Sequence, residues 1–261
     1  MSILDQIIAS KNKEIALKKS VVSVAQLESS DLFNKKTTSL SKSVTNSPFG
    51  IIAEHKRRSP SKATINNSFS VEEIVKGYEN AGASGISVLT DSQYFGGSLE
   101  DLLLARASVQ IPLLRKEFIV DEYQLLEAKA FGADAILLIA AVLTKQEIKY
   151  LSDFAQSLAL EVLLEVHNQE ELEKSIMPSL DLIGVNNRNL KNFEVSLHNS
   201  IDLVNHIPND FVKISESGLT NTDDIKLLRN YGFQGFLIGE SFMKTDNPRK
   251  SLEQFINQLK S

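Results

Sequence analysis

Residues 131–139 read Phe-Gly-Ala-Asp-Ala-Ile-Leu-Leu-Ile, and this stretch contains the unit that the chain repeats. A glycine ends one helix, and a short apolar run without polar alternation follows it. A related pattern occurs at residues 81–85 (Ala-Gly-Ala-Ser-Gly) and 231–235 (Tyr-Gly-Phe-Gln-Gly). Apolar runs of this kind are typical of parallel strands with two buried faces. The stretch therefore predicts an alternation of helices and buried strands.

The alternation extends from residue 51 to near the end of the chain. The predicted strands are 51–53, 85–89, 111–114, 134–139, 161–166, 182–185, 211–214 and 235–238. The predicted helices include 71–80, 99–107, 122–131, 145–158, 169–174 and 222–230. Ser70 and Thr144 stand where N-caps are expected. Eight strand–helix units predict an α/β fold of the (β/α)8 TIM-barrel type. A doubly wound sheet is less favoured, because no glycine-rich dinucleotide fingerprint follows the first strand.

The first 48 residues precede the barrel pattern. Ile3, Ile7 and Ile15 fall near one face of a predicted amphipathic helix, and a second short helix is predicted near residues 24–30. The polar segment 34–48 is predicted to be a surface connection. We therefore expect a single domain, 1–261, in which an N-terminal helical extension and connection (1–48) precedes the barrel (49–261).

Composition limits the classes of function. The net charge of −5 and the pI near 5.5 argue against non-specific nucleic-acid binding, which needs a basic face. A few lysines in a cleft can still attract an anionic small ligand. The chain has no cysteine, and no apolar stretch approaches the ~20 residues of a membrane span. These features predict a cytoplasmic protein without a membrane partner.

The richest candidate for a site is residues 51–61, Ile-Ile-Ala-Glu-His-Lys-Arg-Arg-Ser-Pro-Ser. Glu54 and Lys56 are two residues apart, so their side chains leave the same face of the predicted strand. Charges at the tip of an apolar strand are costly unless they pair or meet a charged ligand. Pro60 then ends the strand and begins a loop. Such a strand tip is either an ordinary ion pair or part of a site.

The other predicted strands also end in polar residues. The candidates are Glu54, Lys56, Ser59, Lys116, Glu165, Asn186, Arg188, Glu216, Ser217, Gly218, Leu237, Gly239 and Glu240. The carboxyl ends of barrel strands form one rim, so we expect these residues around one pocket. Lys116, Lys56 and Glu165 could form a general acid/base set, in which a cation-rich pocket lowers the pKa of a lysine. Arg115, on the opposite strand face from Lys116, is predicted to be structural.

Six stretches resemble motifs of the indole-3-glycerol phosphate synthase family of tryptophan biosynthesis, in the same order along the chain. They are residues 52–61 (Ile-Ala-Glu-His-Lys-Arg-Arg-Ser-Pro-Ser), 87–91 (Ser-Val-Leu-Thr-Asp) with 95–98 (Phe-Gly-Gly-Ser), 114–121 (Leu-Arg-Lys-Glu-Phe-Ile-Val-Asp), 164–167 (Leu-Glu-Val-His), 183–190 (Ile-Gly-Val-Asn-Asn-Arg-Asn-Leu), and 216–218 (Glu-Ser-Gly) with 237–239 (Leu-Ile-Gly). The resemblance includes the helix that this family places before its barrel.

This resemblance implies a reaction and residue roles. The substrate would be 1-(2-carboxyphenylamino)-1-deoxyribulose 5-phosphate, a small phosphorylated molecule, and no metal or organic cofactor would be needed. Lys116 would be the general acid and Glu165 the general base, with Glu54 and Asn186 lining the reacting centre. The remaining implied roles are anion binding: Lys56, Ser59 and Arg188 for anionic groups such as the carboxylate, and Ser217, Gly218, Gly239 and Glu240, through backbone amides, for the phosphate.

Three alternatives stay open at this point. The chain could be a sister barrel such as a phosphoribosylanthranilate isomerase, a Schiff-base aldolase that uses Lys116 or Lys56, or a non-catalytic binder of a phosphate ligand. Glu240 departs from the family pattern, since some members have Ser or Thr there, and a carboxylate beside a phosphate is unfavourable unless it points away. Association with other enzymes of the tryptophan pathway is also left open.

Overall fold

A computed structural model describes residues 2–189 and 194–260 as a closed barrel of eight parallel strands in chain order. The strands are β1 (Ile51–His55), β2 (Gly85–Leu89), β3 (Leu113–Lys116), β4 (Ala135–Ile139), β5 (Glu161–Val166), β6 (Leu182–Asn186), β7 (Val212–Glu216) and β8 (Gly235–Ile238). Each strand pairs with the next, and β8 pairs with β1. The predicted TIM barrel is confirmed. Leu190, which ends one of the quoted motifs, lies outside the described residues.

Three of the described helices precede the first strand, and the others follow strands around the outside of the barrel. They are α1 (Ile3–Val21), α2 (Val24–Glu28), α3 (Leu40–Asn46), α4 (Val71–Ala81), α5 (Leu99–Ser108), α6 (Glu122–Ala130), α7 (Lys145–Ser157), α8 (Gln169–Ser175), α9 (His198–Leu203), α10 (Thr222–Asn230), α11 (Glu240–Met243) and α12 (Pro248–Lys260). Ser70 and Thr144 are N-caps as predicted, each accepting a hydrogen bond from a backbone amide three residues on. No helix among the described residues is both long and apolar enough to cross a membrane.

The barrel interior is arranged in layers. Inward-facing apolar side chains form a core that includes Ile52, Leu114, Leu163, Ile214 and Leu237. Side chains alternate along a strand, so the next inward position lies two residues closer to the carboxyl end. Those next positions are Glu54, Lys116, Glu165, Glu216 and Gly239. The apolar layer therefore supports a polar layer at the carboxyl-terminal rim.

Helix α3 closes the opposite end of the barrel, so the prediction that residues 34–48 form a surface connection is wrong. Leu40 and Val44 are fully buried and belong to the same interior core as Ile52. Gly85 leaves room for Leu40, because a Cβ there would lie 2.5 Å from the Leu40 Cδ1 atom, and Gly235 leaves room for Val44 in the same way. Two apolar residues one turn apart suffice to bury a short polar helix.

Three strands continue further than their apolar runs. β1, β3 and β7 each extend two residues beyond the predicted strand, so that Glu54, Lys116 and Glu216 lie within strands. The neighbouring strand continues the pairing at each position: Glu54 is in register with Ser87 of β2, and Lys116 with Leu89 of the same strand. Strand pairing consequently fixes the directions of these charged side chains more firmly than a loop would.

Candidate active site

The carboxyl ends of the eight strands surround a cavity of about 440 Å³. It is lined by every site residue that the sequence predicts, namely Glu54, Lys56, Ser59, Lys116, Glu165, Asn186, Arg188, Glu216, Ser217, Gly218, Leu237, Gly239 and Glu240. The side chains of Glu54, Lys116 and Glu165, which are far apart in sequence, therefore face one space large enough for a small molecule.

Lys116 stands among carboxylates. Its ammonium group pairs with Glu216 and lies 3.3 Å from the Glu165 Oε2 atom. Burial alone would lower the pKa of Lys116, but Glu216, Glu165 and Glu54 outweigh it and raise the pKa above the usual value. The prediction of a lowered lysine pKa is wrong, because the surroundings of this ammonium are rich in anions rather than cations. Lys116 therefore carries its proton at neutral pH.

Glu216 is the buried partner of Lys116. Burial raises its pKa to about 7, with Lys116 opposing the shift and Glu165 adding to it. Its carboxylate lies against Gly184, where any Cβ would overlap the Glu216 Oε1 atom. This role of Gly184 was not predictable from the sequence, because the space that it leaves for Glu216 exists only once β6 and β7 are paired.

Glu54 and Lys56 form an ion pair with 2.6 Å between the Glu54 Oε1 and Lys56 Nζ atoms. Burial alone would raise the pKa of Glu54, but Lys56 and Lys116 outweigh burial and lower it. Glu54 therefore stays ionised at neutral pH. Gly239 makes room for this carboxylate, since a Cβ there would lie 2.5 Å from Glu54 Oε1. The absence of a side chain at Gly239 is therefore required by the Glu54 carboxylate on the neighbouring strand.

Glu165 is oriented by its neighbour on β6. The side-chain amide of Asn186 donates a hydrogen bond of 3.1 Å to Glu165 Oε1, while Glu165 Oε2 faces Lys116. The Asn186 Oδ1 atom accepts from the backbone amide of Arg188 at 2.9 Å, which orients the asparagine in turn. The carboxylate of Glu165 is therefore positioned by an amide on one oxygen and an ammonium on the other.

The turn after β7 has a left-handed backbone conformation at two positions. Ser217 and Gly218 are consecutive left-handed residues, with φ angles of 67° and 75°. This conformation is strained for serine, and Asn187 supports it by donating a hydrogen bond of 3.1 Å to the Ser217 carbonyl. Ser241 in α11 donates to the Leu219 carbonyl at 2.8 Å and joins this turn to the loop after β8. Consecutive backbone amides in such turns form concave anion sites.

Glu240 occupies the mouth of the cavity. Its Oε1 atom lies 2.5 Å from Lys62 Nζ, and its Oε2 atom lies 3.8 Å from Arg188 Nη2. Partial burial alone would raise the pKa of Glu240, but Lys62, Lys56 and Arg188 outweigh burial and lower it. The carboxylate thus interacts with cations around the opening, including Lys56 and Arg188, which the resemblance assigns to substrate anions.

An apolar wall completes the cavity, and sequence analysis assigned it no function. Phe95 and Phe118 contact each other with 5.9 Å between ring centroids, and both line the cavity. Ile3, Leu4 and Ile7 of α1 line it as well. The available signal was the position of the two phenylalanines just after β2 and β3, at the rim of the predicted barrel.

Arg115 lies on the outer face of β3, as strand alternation predicts. Its guanidinium is buried against α6, where it donates to the Gln124 carbonyl at 2.5 Å and pairs with Glu127 at 3.0 Å. It also donates to Thr90 Oγ1 at 3.1 Å. Arg115 is therefore directed away from the interior layer that holds Lys116.

The fold and the site together define a class of protein: a TIM-barrel enzyme with paired lysine and glutamate side chains in a cavity at its carboxyl-terminal rim. The family model for indole-3-glycerol phosphate synthase matches residues 4–255. A protein of that name from Bacteroides thetaiotaomicron is 48% identical over 257 residues, which cover 98% of each chain. Another from Aliarcobacter butzleri is 43% identical, with 98% of this chain and 99% of the relative covered. The chain belongs to the indole-3-glycerol phosphate synthase family.

Solved structures with low sequence identity share the fold. A tryptophan synthase complex from Pyrococcus furiosus gives a TM-score of 0.59 at 15% identity, covering 80% of this chain and 97% of the matched chain. Thiamine phosphate pyrophosphorylase from the same organism gives 0.59 at 16% identity, covering 81% and 96%. These similarities concern the barrel alone.

Proposed function

We propose that this protein is an indole-3-glycerol phosphate synthase, a decarboxylating carbon–carbon lyase. It closes the pyrrole ring of 1-(2-carboxyphenylamino)-1-deoxyribulose 5-phosphate and releases indole-3-glycerol phosphate, carbon dioxide and water. The observation that carries this proposal is a charged Lys116 between Glu165 and Glu216 in a cavity with cations and an anion-binding turn. A phosphoribosylanthranilate isomerase is not favoured, because the matching family model and the relatives above have the synthase name.

The proposed reaction begins with attack of the ring carbon that carries the carboxylate on the substrate's carbonyl carbon. The carbonyl oxygen gains negative charge and needs a proton donor. Lys116 suits this step, since the surrounding carboxylates keep it protonated. Glu216, with a pKa of about 7, is placed to return a proton to the lysine. Loss of carbon dioxide then restores the benzene ring.

Dehydration completes the pyrrole ring in this proposal. The hydroxyl formed from the carbonyl leaves as water, and the neighbouring methylene carbon loses a proton to a base. Glu165 is the proposed base, and the amide of Asn186 directs it. Glu54 holds Lys56 beside the reacting centre. Each well-placed proton transfer contributes about 10²–10⁴-fold to the rate.

The two anionic ends of the substrate would be held at separate parts of the rim. We assign the carboxylate to Lys56, Ser59 and Arg188. The aromatic ring would lie against the wall formed by Phe95 and Phe118. We assign the phosphate to the backbone amides of Ser217, Gly218, Gly239 and Glu240, and Leu237 lines the same cavity. Binding at both ends would restrict the reacting carbons to a productive orientation.

The proposed function also implies where the enzyme acts and which partners it needs. We propose that it acts in the cytoplasm on a small phosphorylated substrate, without a metal, an organic cofactor or a nucleic-acid partner. The net charge of −5 supports the last point.

The test is an assay of ring closure with the purified protein. Mixing it with the anthranilate-derived substrate in a buffer that contains a chelator should produce indole fluorescence and an equal amount of carbon dioxide. Substrate binding without either product would refute the synthase assignment and favour a non-catalytic binder. Trapping of a substrate–lysine adduct by borohydride would favour a Schiff-base mechanism instead.

A further inference from the structure

Lys11 of α1 is a buried lysine that the proposed reaction does not use. Only 2% of its side chain is exposed, and its ammonium meets three carboxylates: Glu14 at 2.7 Å, Asp91 at 3.0 Å and Glu117 at 3.1 Å. Burial alone would lower the pKa of Lys11, but these carboxylates outweigh burial and raise it. The ammonium therefore remains charged inside the protein, at the junction of α1 with two rim loops.

Asp91 organises the loop after β2. Its Oδ2 atom faces Lys11, while its Oδ1 atom accepts hydrogen bonds from the backbone amides of Tyr94 at 2.6 Å and Phe95 at 3.2 Å. The turn that places the Phe95 ring in the cavity is therefore fixed by a carboxylate that Lys11 neutralises. Ser10 adds a second link from α1, with 3.0 Å between its hydroxyl and that of Tyr94.

Glu117 organises the end of β3 in the same way. Its Oε1 atom faces Lys11 and accepts from the backbone amide of Phe118 at 2.9 Å, and its Oε2 atom accepts from Thr90 Oγ1 at 2.7 Å. Glu117 directly follows Lys116 in the chain. Lys11 is thus linked to Phe95 through Asp91 and to Phe118 through Glu117. Glu117 also links it to the end of β3, which carries the proposed general acid.

Among the described residues, the network around Lys11 contains three cations and four carboxylates. Lys18 pairs with Glu14 and Glu127 at the outer edge, and Arg115 pairs with Glu127 behind β3. Neither Lys18 nor Arg115 replaces Lys11 at Asp91, and Arg115 lies 3.7 Å from Glu117. Removing one partner from a buried ion pair leaves the others without compensation and is strongly unfavourable. Among the described residues, removal of Lys11 would leave Asp91 without a cation partner and Glu117 with only Arg115 at 3.7 Å, which favours movement of both loops toward water.

We propose that Lys11 is a positioning residue that sets the aromatic wall of the cavity through Asp91 and Glu117. It acts on the part of the site that would hold the substrate's ring and leaves the anion-binding turn after β7 unaffected. The same contact holds α1 over the opening, where Ile7 lies one turn before Lys11 and lines the cavity. The kinetic part of this inference rests on the proposed function.

The test compares Lys11→Met with Lys18→Met in the full-length protein. Both variants remove one charge from the network, but only Lys11 touches the rim-loop carboxylates. We expect Lys11→Met to lower kcat/KM about tenfold or more. The inhibition constant of inorganic phosphate should stay unchanged, and Lys11→Arg should recover part of the activity. Lys18→Met should behave like the wild-type protein. Equal effects of the two methionine variants would overturn the proposal. So would a loss of phosphate binding in Lys11→Met as large as its loss of kcat/KM.

Amide hydrogen exchange gives a readout that does not depend on turnover. In Lys11→Met the amides of Tyr94, Phe95 and Phe118 should exchange faster, while those of β6 to β8 keep wild-type rates. Uniform acceleration throughout the barrel would assign Lys11 a purely structural role and overturn the proposal. A wild-type protein that forms no indole product would refute the proposed function, and the exchange pattern would still decide the inference about Lys11.

A second pair of variants applies if Lys11→Met does not fold. Asp91→Asn and Glu14→Gln each remove one carboxylate from Lys11, but only Asp91 belongs to a rim loop. We expect Asp91→Asn to raise KM and accelerate exchange at Phe95, and Glu14→Gln to do neither. The same behaviour in both variants would contradict the proposal.

Discussion

At the scale of single residues, the charge state of each group depends on its immediate neighbours. Lys116 is buried, which favours the neutral amine, yet three carboxylates keep it protonated. Burial raises the pKa of Glu216 to about 7, with Lys116 opposing the shift and Glu165 adding to it. In this pair, Lys116 therefore stays protonated at neutral pH, while Glu216 exchanges protons near pH 7.

The raised pKa of Glu216 predicts a specific pH dependence of stability. Its pKa is about 7 in the folded protein against 4.5 for the free group, so the folded state holds the extra proton between these values. Stability is thus fully present below pH 4.5 and decreases as the pH rises through 7. From pH 5 to 8, the wild-type protein should lose about 1–3 kcal/mol of unfolding free energy relative to Glu216→Gln. Urea unfolding at both pH values measures this difference. A constant difference between the two proteins would contradict the raised pKa.

The position of Glu240 predicts that removing its charge strengthens the binding of substrate anions. Its carboxylate pairs with Lys62, whose side chain is half exposed, and with Arg188, for which it would compete with a substrate anion in the proposed site. Glu240→Gln should therefore lower KM and the inhibition constant of inorganic phosphate by about two- to fivefold, the strength of a partly exposed ion pair. Glu72→Gln is a matched control, because Glu72 pairs with Lys76 on the outside of the barrel. A higher KM in Glu240→Gln would instead indicate that the carboxylate assists binding.

The charged residues were predictable from sequence, but their surroundings were not. Strand alternation and the barrel rim brought Glu54, Lys116 and Glu165 to one pocket. The sign of the pKa shift of Lys116 was predicted wrongly, because it depends on which charges come from other strands. The space provided by Gly184 and Gly239 is likewise a property of paired strands rather than of a motif.

At the scale of elements, α3 contributes to the barrel core, although its polar composition does not indicate this. The helix is short, and Ser41, Lys42, Ser43 and Thr45 make most of it polar. Only burial in the barrel interior explains why it forms, since an isolated helix of this length is unstable in water. The strands and the longer helices were predicted closely because their periodicity is local, whereas the buried position of α3 depends on the closed barrel.

Leu40 should be the residue of α3 that contributes most to stability. It is fully buried among the interior apolar side chains, so Leu40→Ala should lower the unfolding free energy by about 2–5 kcal/mol. Leu17→Ala makes the same chemical change on α1, at a side chain that is 70% exposed, and should change the unfolding free energy little. Urea denaturation of the two variants checks this. Equal effects would mean that α3 does not close the barrel.

At the scale of the whole molecule, the extension and the barrel share one interior. Residues 1–48 contribute Leu40 and Val44 to the barrel core, and α1 contributes Ile7 to the cavity wall. We therefore propose that residues 1–261 form a single domain, although the extension precedes the barrel in sequence. Because the extension and the barrel share core side chains, we expect them to unfold together.

This proposal predicts one unfolding transition. Far-ultraviolet circular dichroism reports the helices and strands, and the part of the near-ultraviolet signal that is lost in Tyr123→Phe reports Tyr123, which is buried in the same cluster as Ile15 of α1 and Leu27 of α2. The two signals should give the same urea midpoint. An earlier near-ultraviolet transition would indicate that the extension unfolds independently of the barrel.

In the proposed mechanism, side chains from separate strands act together as one acid/base site. The most direct measurement is the turnover number of Lys116→Ala and Glu165→Gln in the indole fluorescence assay, with substrate binding measured separately by calorimetry. Each variant should still bind substrate and should lose about 10²–10⁴-fold in kcat, whereas Lys76→Ala on the outside of α4 should keep the wild-type rate. A near-normal kcat in either site variant would contradict the role assigned to that residue and with it the proposed mechanism.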